Sequence, residues 1–367
     1  MSENKKLTLA FVDHPFHKYS GSTYFLREIL SKHFFVIDYW DDANIGGKRV
    51  PITVLNKHDY VLFFQEISPV LDLKKITTNI IWVPMYDAVI FNPLYWKTLS
   101  YLNVRTISFS EKIENMCKKY NILNIKVKYY INPQKYAYTL PKNGNHFLFW
   151  ARGSITFNQL KKIISPEQVD SFTYLSKPDP GYEVDYISDI DKKDYKMRII
   201  HSDFNKFWGK EDYFKLLTKH NIFVSPRNKE GIGMSFLEAL TVGFTVLAYD
   251  DSTMNEYIKH NINGYLFNEK TKKIDFSNKK IIQKRSIITC NLGYTEWEKN
   301  IHLIIEFILN KPSHNKTFSW KIKKLFFIFL YSNIEKSYFI IQEIKNLFKR
   351  KFPIFFKKIK KIIKYKV

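Results

Sequence analysis

The sequence of 367 residues predicts an α/β protein of two domains, each built on a parallel β-sheet. Short apolar segments of strand composition alternate with amphipathic helical segments along most of the chain, which is the pattern of βαβ units. The length is that of two domains of ordinary size, and a 45% hydrophobic content is sufficient for two packed cores. A polar segment containing glycine, at 141–145, separates the two halves.

The first half opens with an apolar strand at Leu7–Val12, which is followed by a polar loop at 13–22 and a helix from Thr23 to about Lys32. Further strands are predicted at Phe35–Tyr39, Tyr60–Gln65, Ile80–Pro84, Thr106–Ser108 and Lys126–Ile131. The segment from Ser110 to Tyr120 has the pattern of a capped amphipathic helix. Ligands of open parallel sheets bind beyond the carboxyl ends of strands, so Tyr86 and Asp87 are expected to face a cleft.

The second half opens with a strand that starts at His146 and ends near Arg152. The elements that follow are predicted as a helix at Asn158–Ile164, strands at Ser171–Leu175 and Met197–His201, a helix at Lys210–His220 and a strand at Ile222–Val224. A helix at Met234–Thr241 and a strand at Thr245–Tyr249 come next, and the apolar spacing of Asn291–Asn310 suits a helix that crosses back to the first domain. The acidic segment 179–194 is expected to be irregular.

The most informative segment runs from Val224 to Asp250. One carboxylate, Glu230, precedes a glycine-rich turn, and a second, Glu238, follows on the next helix. The unpaired amides and the dipole of a helix N-terminus favour a diphosphate there. The turn and the amides are assigned to Gly231, Gly233, Met234 and Ser235. Two carboxylates around such a site can accept hydrogen bonds from hydroxyls on both sides of a diphosphate, so the segment predicts a site for a nucleoside diphosphate sugar.

The same segment resembles the retaining glycosyltransferases of the GT-B fold, especially family 4, in which two glutamates are separated by seven residues. The resemblance extends through the helix and turn at 253–267. It implies two Rossmann-like domains that face a cleft, a nucleoside diphosphate sugar as donor and no further cofactor. It also implies that Glu230 binds donor-sugar hydroxyls, that Glu238 binds the ribose and that Arg152 pairs with the diphosphate. Glu256 is a further candidate for this pocket, and the alternative is an ordinary βαβ unit whose glutamates are solvated.

Two positions depart from the pattern of that family. Its second cation, a lysine a few residues after the arginine, would fall near Phe157, so Arg227 or Lys229 is expected to supply the charge. Met85-Tyr86-Asp87 stands where many members carry a histidine that contacts the sugar. Asp87 is therefore expected to hold an acceptor or sugar hydroxyl, or else to cap the following helix.

The resemblance also implies that the loop after the first strand faces the cleft. Its candidate contacts to acceptor or donor phosphate are Ser20, Gly21 and Ser22, with His14 and His17 as alternatives. A Ser-Gly-Ser sequence is also an ordinary turn and helix cap.

The net charge of +23 is concentrated at the end of the chain. Residues 312–367 contain 15 basic and 2 acidic side chains, interleaved with apolar clusters. This composition predicts a basic amphipathic tail that binds an anionic membrane surface. A helix packed on the protein with its lysines in water is the main alternative, and nucleic acid, for which no motif is present, is not expected. The predicted domains are 1–142, 143–311 and the tail 312–367.

Other classes of site find no support in the sequence. Cys117 and Cys290 are the only cysteines and have no metal-ligand spacing, so neither a disulfide framework nor a zinc site is predicted. The Asp189-Ile-Asp191 pair does not follow a strand, and no metal is expected. The apolar runs are too short for a membrane span or a signal peptide. We expect a cytoplasmic protein on the inner face of the plasma membrane.

The function expected from these observations is transfer of a sugar from a nucleoside diphosphate sugar to a hydroxyl of a glycan or lipid-linked glycan. The expected setting is surface polysaccharide biosynthesis, either lipopolysaccharide O-antigen or capsule. A GT-B epimerase or phosphorylase is an alternative with the same phosphate chemistry. A non-enzymatic protein that binds membranes or nucleic acid through its tail is a further alternative.

Overall fold

The computed structural model describes residues 6–135, 139–141, 143–183, 185–202, 210–310 and 317–351. Its strands are β1 (Thr8–Asp13), β2 (Phe35–Trp40), β3 (Tyr60–Phe64), β4 (Asn79–Val83), β5 (Arg105–Ser108), β6 (Asn124–Lys126), β7 (His146–Ala151), β8 (Ser171–Ser176), β9 (Met197–His201), β10 (Ile222–Val224), β11 (Thr245–Tyr249) and β12 (Tyr265–Phe267). Its helices are α1 (Pro15–Ser20), α2 (Tyr24–His33), α3 (Ile52–Leu55), α4 (Val70–Leu73), α5 (Pro93–Tyr101), α6 (Glu111–Tyr120), α7 (Phe157–Ile163), α8 (Asp189–Asp194), α9 (Lys210–Leu217), α10 (Met234–Thr241), α11 (Met254–Tyr257), α12 (Lys279–Leu309) and α13 (Phe318–Lys351).

The strands form two six-stranded sheets in which every named pair is parallel. The first has the order β2-β1-β3-β4-β5-β6, and the second has the order β12-β11-β10-β7-β8-β9. The direction of winding therefore reverses between β1 and β3 in one sheet and between β7 and β10 in the other. Adjacent loops leave such a reversal point in opposite directions, which opens a crevice at the carboxyl ends of the strands. The predicted fold of two Rossmann-like domains is confirmed.

The apolar composition of the central strands follows from burial on both faces. Val61 and Leu62 in β3 and Ile222 and Val224 in β10 are completely buried. Helices cover both faces of a parallel sheet, so a central strand has no polar side and is nearly continuous in hydrophobic residues. This is why a strand of only three residues, β10, is recognisable in the sequence.

The long helix α12 joins the two domains, as its apolar spacing predicts. It starts at Lys279, twelve residues earlier than predicted, and packs against α10 of the second domain and α2 of the first. At its C-terminus the buried guanidinium of Arg105, in β5, donates hydrogen bonds to the carbonyl oxygens of Phe307 (2.6 Å), Ile308 (3.1 Å) and Asn310 (2.7 Å). A cation at this end satisfies the last carbonyls and opposes the helix dipole.

The helix α13 accounts for the described part of the predicted tail and packs on the first domain. Tyr331 lies over Tyr95 of α5, with ring centroids 5.1 Å apart, and Phe327 stacks on Tyr101 at 5.1 Å. The carboxylate of Glu335 accepts the backbone N–H of Val70 at 3.0 Å. For this part of the tail, packing on the protein is observed along one face. Residues 312–316 and 352–367 of the predicted tail lie outside the described residues.

Several predicted elements differ from the structure. The predicted strand 126–131 ends at Lys126, because the chain beyond it turns to the second domain and the N–H of Tyr129 donates to the Tyr257 hydroxyl at 3.1 Å. The loop at 13–22 contains the helix α1, and the acidic segment 179–194 contains α8. The boundaries at 142 and 311 stay a prediction, and Lys142 and residue 311 lie outside the described residues. No helix in the described ranges has the length and hydropathy of a bilayer span.

Candidate functional site

A cavity of about 470 Å³ lies between the carboxyl ends of the two sheets. Its first wall is formed by α1 and the residues after it, by the end of β3 and by the loop after β4. Its second wall is formed by residues at the ends of β7, β8 and β10 and by the first turns of α10. The cavity therefore occupies both reversal points, which is where open parallel sheets bind ligands.

Most of the predicted site residues line this cavity. They are Asp87, Arg152, Arg227, Glu230, Gly231, Gly233, Met234, Ser235 and Glu238. Ser20, Ser22 and His17 line it as well. The structure thus brings together residues that are up to about two hundred positions apart in the sequence.

The glycine-rich turn fixes how closely the walls approach. Gly233 precedes α10 with φ of 79°, in the left-handed region that favours glycine. A Cβ on Gly231 would lie 2.6 Å from Sδ of Met85, on the loop after β4, and 3.0 Å from a carboxylate oxygen of Asp87. Any larger residue at 231 would therefore have to displace Met85, whose Cβ would lie 2.8 Å away, and the side chain of Asp87. The turn lets the first domain rest directly on the backbone that leads into α10.

Glu230 is a buried carboxylate at the centre of the cavity wall. Burial raises its pKa to about 7; the charge of Arg227 opposes this rise and that of Asp87 adds to it. The distance between Arg227 Nη1 and Glu230 Oε2 is 3.9 Å. The Thr253 hydroxyl donates to the carbonyl oxygens of Glu230 (2.8 Å) and Gly231 (2.9 Å), which holds the backbone of the turn. Glu230 therefore changes its ionisation near neutral pH, unlike a solvated glutamate.

Two arginines and one aspartate form an ionic cluster beside Glu230. Arg152 follows β7 and Arg227 follows β10, so the two guanidinium groups leave neighbouring strands. Both pair with the carboxylate of Asp179, with 2.7 Å between Arg227 Nη2 and its Oδ2. Arg227 Nη1 also lies 3.4 Å from Oδ2 of Asp87, across the cleft. The cluster places two cations side by side in one wall of the cavity.

The opposite wall contains a histidine held by a buried aspartate. His17 Nδ1 lies 2.5 Å from Oδ1 of Asp13, and the other carboxylate oxygen of Asp13 accepts the Thr23 hydroxyl at 2.9 Å. The ring of His17 meets Phe64 edge-on, at 5.7 Å between centroids. The loop after β1 therefore presents an oriented imidazole to the cavity.

Five residues expected in the cleft lie outside the cavity lining, namely Tyr86, Lys229, Glu256, Gly21 and His14. The Tyr86 hydroxyl donates to Asp251 of the second domain at 2.9 Å, and the Lys229 amine lies 5.8 Å from the centre of the Tyr86 ring. Glu256 instead joins the two domains: its carboxylate accepts the N–H of Glu111, at the start of α6, at 2.8 Å and the Ser252 hydroxyl at 2.9 Å. Gly21 ends α1 with φ of 66°, and His14 caps the same helix by accepting the N–H of Phe16. Gly21 and His14 therefore shape the two ends of α1, whereas Glu256 links the second domain to α6 of the first.

Sequence reasoning missed several cavity residues. Lys177 lines the cavity just after β8, and Asp179, two residues later, contacts the cavity arginines. A polar residue that follows a strand, as at Asp87, is the signal that could have identified both. Trp150 and Tyr213 also line the wall, and the guanidinium of Arg152 lies 5.1 Å from the centre of the Trp150 ring. Trp150 lies within β7, and nothing in the sequence of that strand indicates that its ring faces the cavity.

Solved structures share this arrangement of two domains. A glycosyltransferase from Rickettsia africae ESF-5 is 13% identical and covers 84% of this chain and 100% of its own, with a TM-score of 0.53. The lipopolysaccharide outer core galactosyltransferase WaaB, in its apo form, is 12% identical and covers 82% of this chain and 100% of its own, with a TM-score of 0.54. The chain has the GT-B fold.

One segment of the chain, which contributes residues to the cleft, also matches a known protein family. Residues 195–283 match the family described as glycosyl transferases group 1, and this range contains Glu230, Glu238 and the turn between them. The resemblance drawn from those residues is thereby confirmed at the level of that group. Anabaena Alr3699/HepE, solved in complex with UDP and glucose, is 11% identical and covers 82% of this chain and 99% of its own, with a TM-score of 0.51. No curated protein sequence matches the chain.

Proposed function

We propose that this protein transfers a sugar from a nucleoside diphosphate sugar to a hydroxyl acceptor in the cleft, with retention of anomeric configuration. The observation that carries the proposal is the convergence, in one cavity at both reversal points, of Arg152, Arg227, the N-terminus of α10 and the two carboxylates Glu230 and Glu238. Cations and helix amides suit the diphosphate, and the carboxylates suit hydroxyls on either side of it.

The proposed chemistry depends on charge that develops on the leaving group. As the bond between the sugar and the diphosphate breaks, the diphosphate oxygen gains negative charge. Arg152, Arg227 and the amides at the start of α10 stabilise that charge more in the transition state than in the ground state. These groups let the reaction proceed without a divalent metal, so activity should persist in EDTA. Glu230 holds donor-sugar hydroxyls in its ionised form.

We make more specific proposals for the nucleotide of the donor and for the class of acceptor. The complexes of HepE with UDP, glucose and UDP-glucose support UDP as the nucleotide here. The lipopolysaccharide galactosyltransferase with the same fold supports a glycan or lipid-linked glycan acceptor in surface polysaccharide assembly. His17 and Asp87, on the first-domain side of the cavity, are proposed to face the acceptor hydroxyl or the transferred sugar.

The test is release of nucleotide from a panel of UDP-, GDP- and CMP-sugars, with and without a lipid-linked acceptor. We expect turnover of one UDP-sugar that depends on acceptor. Glu230→Gln and Glu238→Gln should each slow it by at least about tenfold, or roughly 1.4 kcal/mol of barrier, while the exposed control Glu167→Gln leaves it unchanged. Conversion of donor without acceptor would indicate an epimerase or phosphorylase, and no turnover with any donor would refute the proposal.

We also propose that the outer face of α13 binds an anionic membrane. One side of this helix packs on α5, and the other leaves large apolar side chains in solvent. Phe318, Ile322, Leu325 and Phe329, spaced as one helical stripe, are between 52% and 79% exposed. An apolar stripe flanked by lysines suits the interface of a bilayer that contains anionic lipid.

Binding of the full chain to liposomes tests this surface. We expect sedimentation with vesicles that contain phosphatidylglycerol and weaker sedimentation with pure phosphatidylcholine. The double variant Leu325→Gln, Phe329→Gln should reduce binding several-fold without unfolding, because neither side chain is buried. Ile287→Gln, an exposed apolar position on α12, is the matched control. Unchanged binding by the double variant would refute the assignment of this face.

A further inference from the structure

The carboxylate of Asp179 occupies the space between the two arginines of the cavity wall. Its Oδ1 lies 2.7 Å from Nε of Arg152 and also pairs with Nη2 of that residue. Its Oδ2 lies 2.9 Å from Nε and 2.7 Å from Nη2 of Arg227. Each oxygen thus takes one guanidinium. Guanidinium forks bind phosphate oxygens in the same geometry in which they bind carboxylates, so Asp179 stands where a phosphate group would be bound.

The backbone around Asp179 holds the carboxylate in this place. Its N–H donates to the carbonyl oxygen of Arg152 at 2.9 Å, and its own carbonyl accepts the N–H of Tyr182 at 3.0 Å. Pro178 and Pro180 flank it and restrict the rotation of the chain on both sides. The segment is therefore fixed against the end of β7, and exchange of the ion pair requires only rotation of the Asp179 side chain.

A third cation reaches the same wall. Lys177, just after β8, is 7% exposed and lines the cavity. Burial and the charge of Arg152 both lower the pKa of Lys177. The backbone N–H of Lys177 donates to the carbonyl oxygen of Ala151 at 3.0 Å, which fixes the backbone of Lys177 beside the residue that precedes Arg152. The ends of the adjacent strands β10, β7 and β8 thus each supply one cation. Phe157, near which related enzymes would carry their second cation, is buried in the core.

We propose that Lys177, Arg152 and Arg227 form a three-cation subsite for the diphosphate, and that Asp179 is a resident counter-ion that the diphosphate displaces. This rests on the proposed function, which supplies the nucleoside diphosphate as ligand. Asp179 keeps the two guanidinium groups aligned when no ligand is bound, so little reorganisation is needed on binding. Its negative charge competes with the diphosphate and, after transfer, favours release of the nucleoside diphosphate product.

The competing explanation is that Asp179 only positions the arginines. The two explanations predict opposite changes in ligand affinity for Asp179→Asn. We would titrate the full chain with UDP and, separately, with inorganic pyrophosphate by calorimetry. Displacement predicts that Asp179→Asn binds both ligands about tenfold more tightly and releases UDP more slowly. Positioning predicts that Asp179→Asn binds both more weakly, and that result would overturn the inference.

A second variant tests the third cation. Lys177→Met, which keeps the length of the side chain, should weaken binding of both ligands about tenfold, whereas Lys161→Met should leave it unchanged, because Lys161 pairs with Asp191. Unchanged binding by Lys177→Met in a protein whose thermal midpoint is also unchanged would overturn the role of Lys177. If pyrophosphate binds and responds to both variants but no nucleotide binds, the anion subsite stands and the proposed function fails. If neither ligand binds the wild-type protein, the inference itself fails.

Discussion

Neutralising Glu230 is expected to stabilise the protein while it slows the proposed transfer reaction. The pKa of Glu230 is about 7 in the folded protein, against an ordinary value of 4.5, so folding disfavours the ionised form. A difference of about 2.5 in pKa corresponds, at about 1.36 kcal/mol for each pH unit, to about 3 kcal/mol. Glu230→Gln removes this cost because the amide has a similar shape and no charge. The buried Glu230 is therefore expected to destabilise the folded protein at neutral pH.

The pH dependence gives the sign of the effect. Below pH 4.5 the carboxyl is protonated in both folded and unfolded chains, so wild type and Glu230→Gln should differ little in stability. As pH rises through 4.5 the unfolded chain releases its proton first, and the wild-type protein loses stability relative to the variant until pH passes about 7. The variant should thus gain less than about 1 kcal/mol at pH 5 and about 3 kcal/mol at pH 8.

Thermal unfolding at pH 5 and pH 8 measures this directly. At pH 8 the gain should raise the midpoint of the transition on the order of 5 °C, because a chain of this size shifts by a few degrees or less for each kcal/mol. For the exposed control Glu167→Gln, the difference in midpoint from wild type should be the same at both pH values. A Glu230→Gln midpoint that is lower than wild type at pH 8, or a difference that does not depend on pH, would refute the reasoning.

Three further predictions concern the contacts that organise the cleft. Arg105→Met should destabilise the protein by about 3 kcal/mol in urea unfolding, because three helix carbonyls lose a charged donor, whereas the exposed Arg198→Met should have little effect. Gly231→Ala should lower kcat/KM about tenfold or more, because the new Cβ would lie 2.6 Å from Sδ and 2.8 Å from Cβ of Met85. Adding Met85→Gly, which removes both atoms, should restore part of the activity, and no recovery would contradict the steric cause. Lys112→Met removes the 2.6 Å ion pair that joins α6 to the second domain, so small-angle scattering should report a larger radius of gyration without ligand. An unchanged radius would show that other contacts keep the cleft closed.

Strands were easier to predict from the sequence where both of their faces are buried. Central strands such as β3 and β10 were recognisable because burial on both faces makes them continuously apolar. The edge strand β6 was placed too late in the chain, because an edge strand exchanges its ladder for other partners, here the hydroxyl of Tyr257. No local pattern encodes a bond to a residue 128 positions away.

The same distinction holds for the site. Glu230, Glu238 and the turn between them were predictable because they lie in one continuous segment with its own strand and helix. The position of Asp179 after a strand does not indicate its partners, because its contacts are with two arginines that follow other strands. Glu256 was expected in the cavity, whereas its carboxylate turns towards α6. Spacing along the chain predicts residues that share an element, whereas contacts between loops depend on the tertiary fold.

The cap that Arg105 places on the end of α12 has a consequence for synthesis on the ribosome. The carbonyl oxygens it binds lie more than 200 residues further along the chain, and the cover over Tyr95 arrives later still, with Tyr331. At a translation rate of about 5–20 residues per second, the first domain waits roughly 10–40 seconds for the residues that complete it. During that time we expect the aromatic surface around Tyr95 and Tyr101 to stay uncovered, which would give chaperones a binding surface that α13 covers in the finished protein. In this protein, the first domain to be synthesised is completed only by the helix at the end of the described chain, α13.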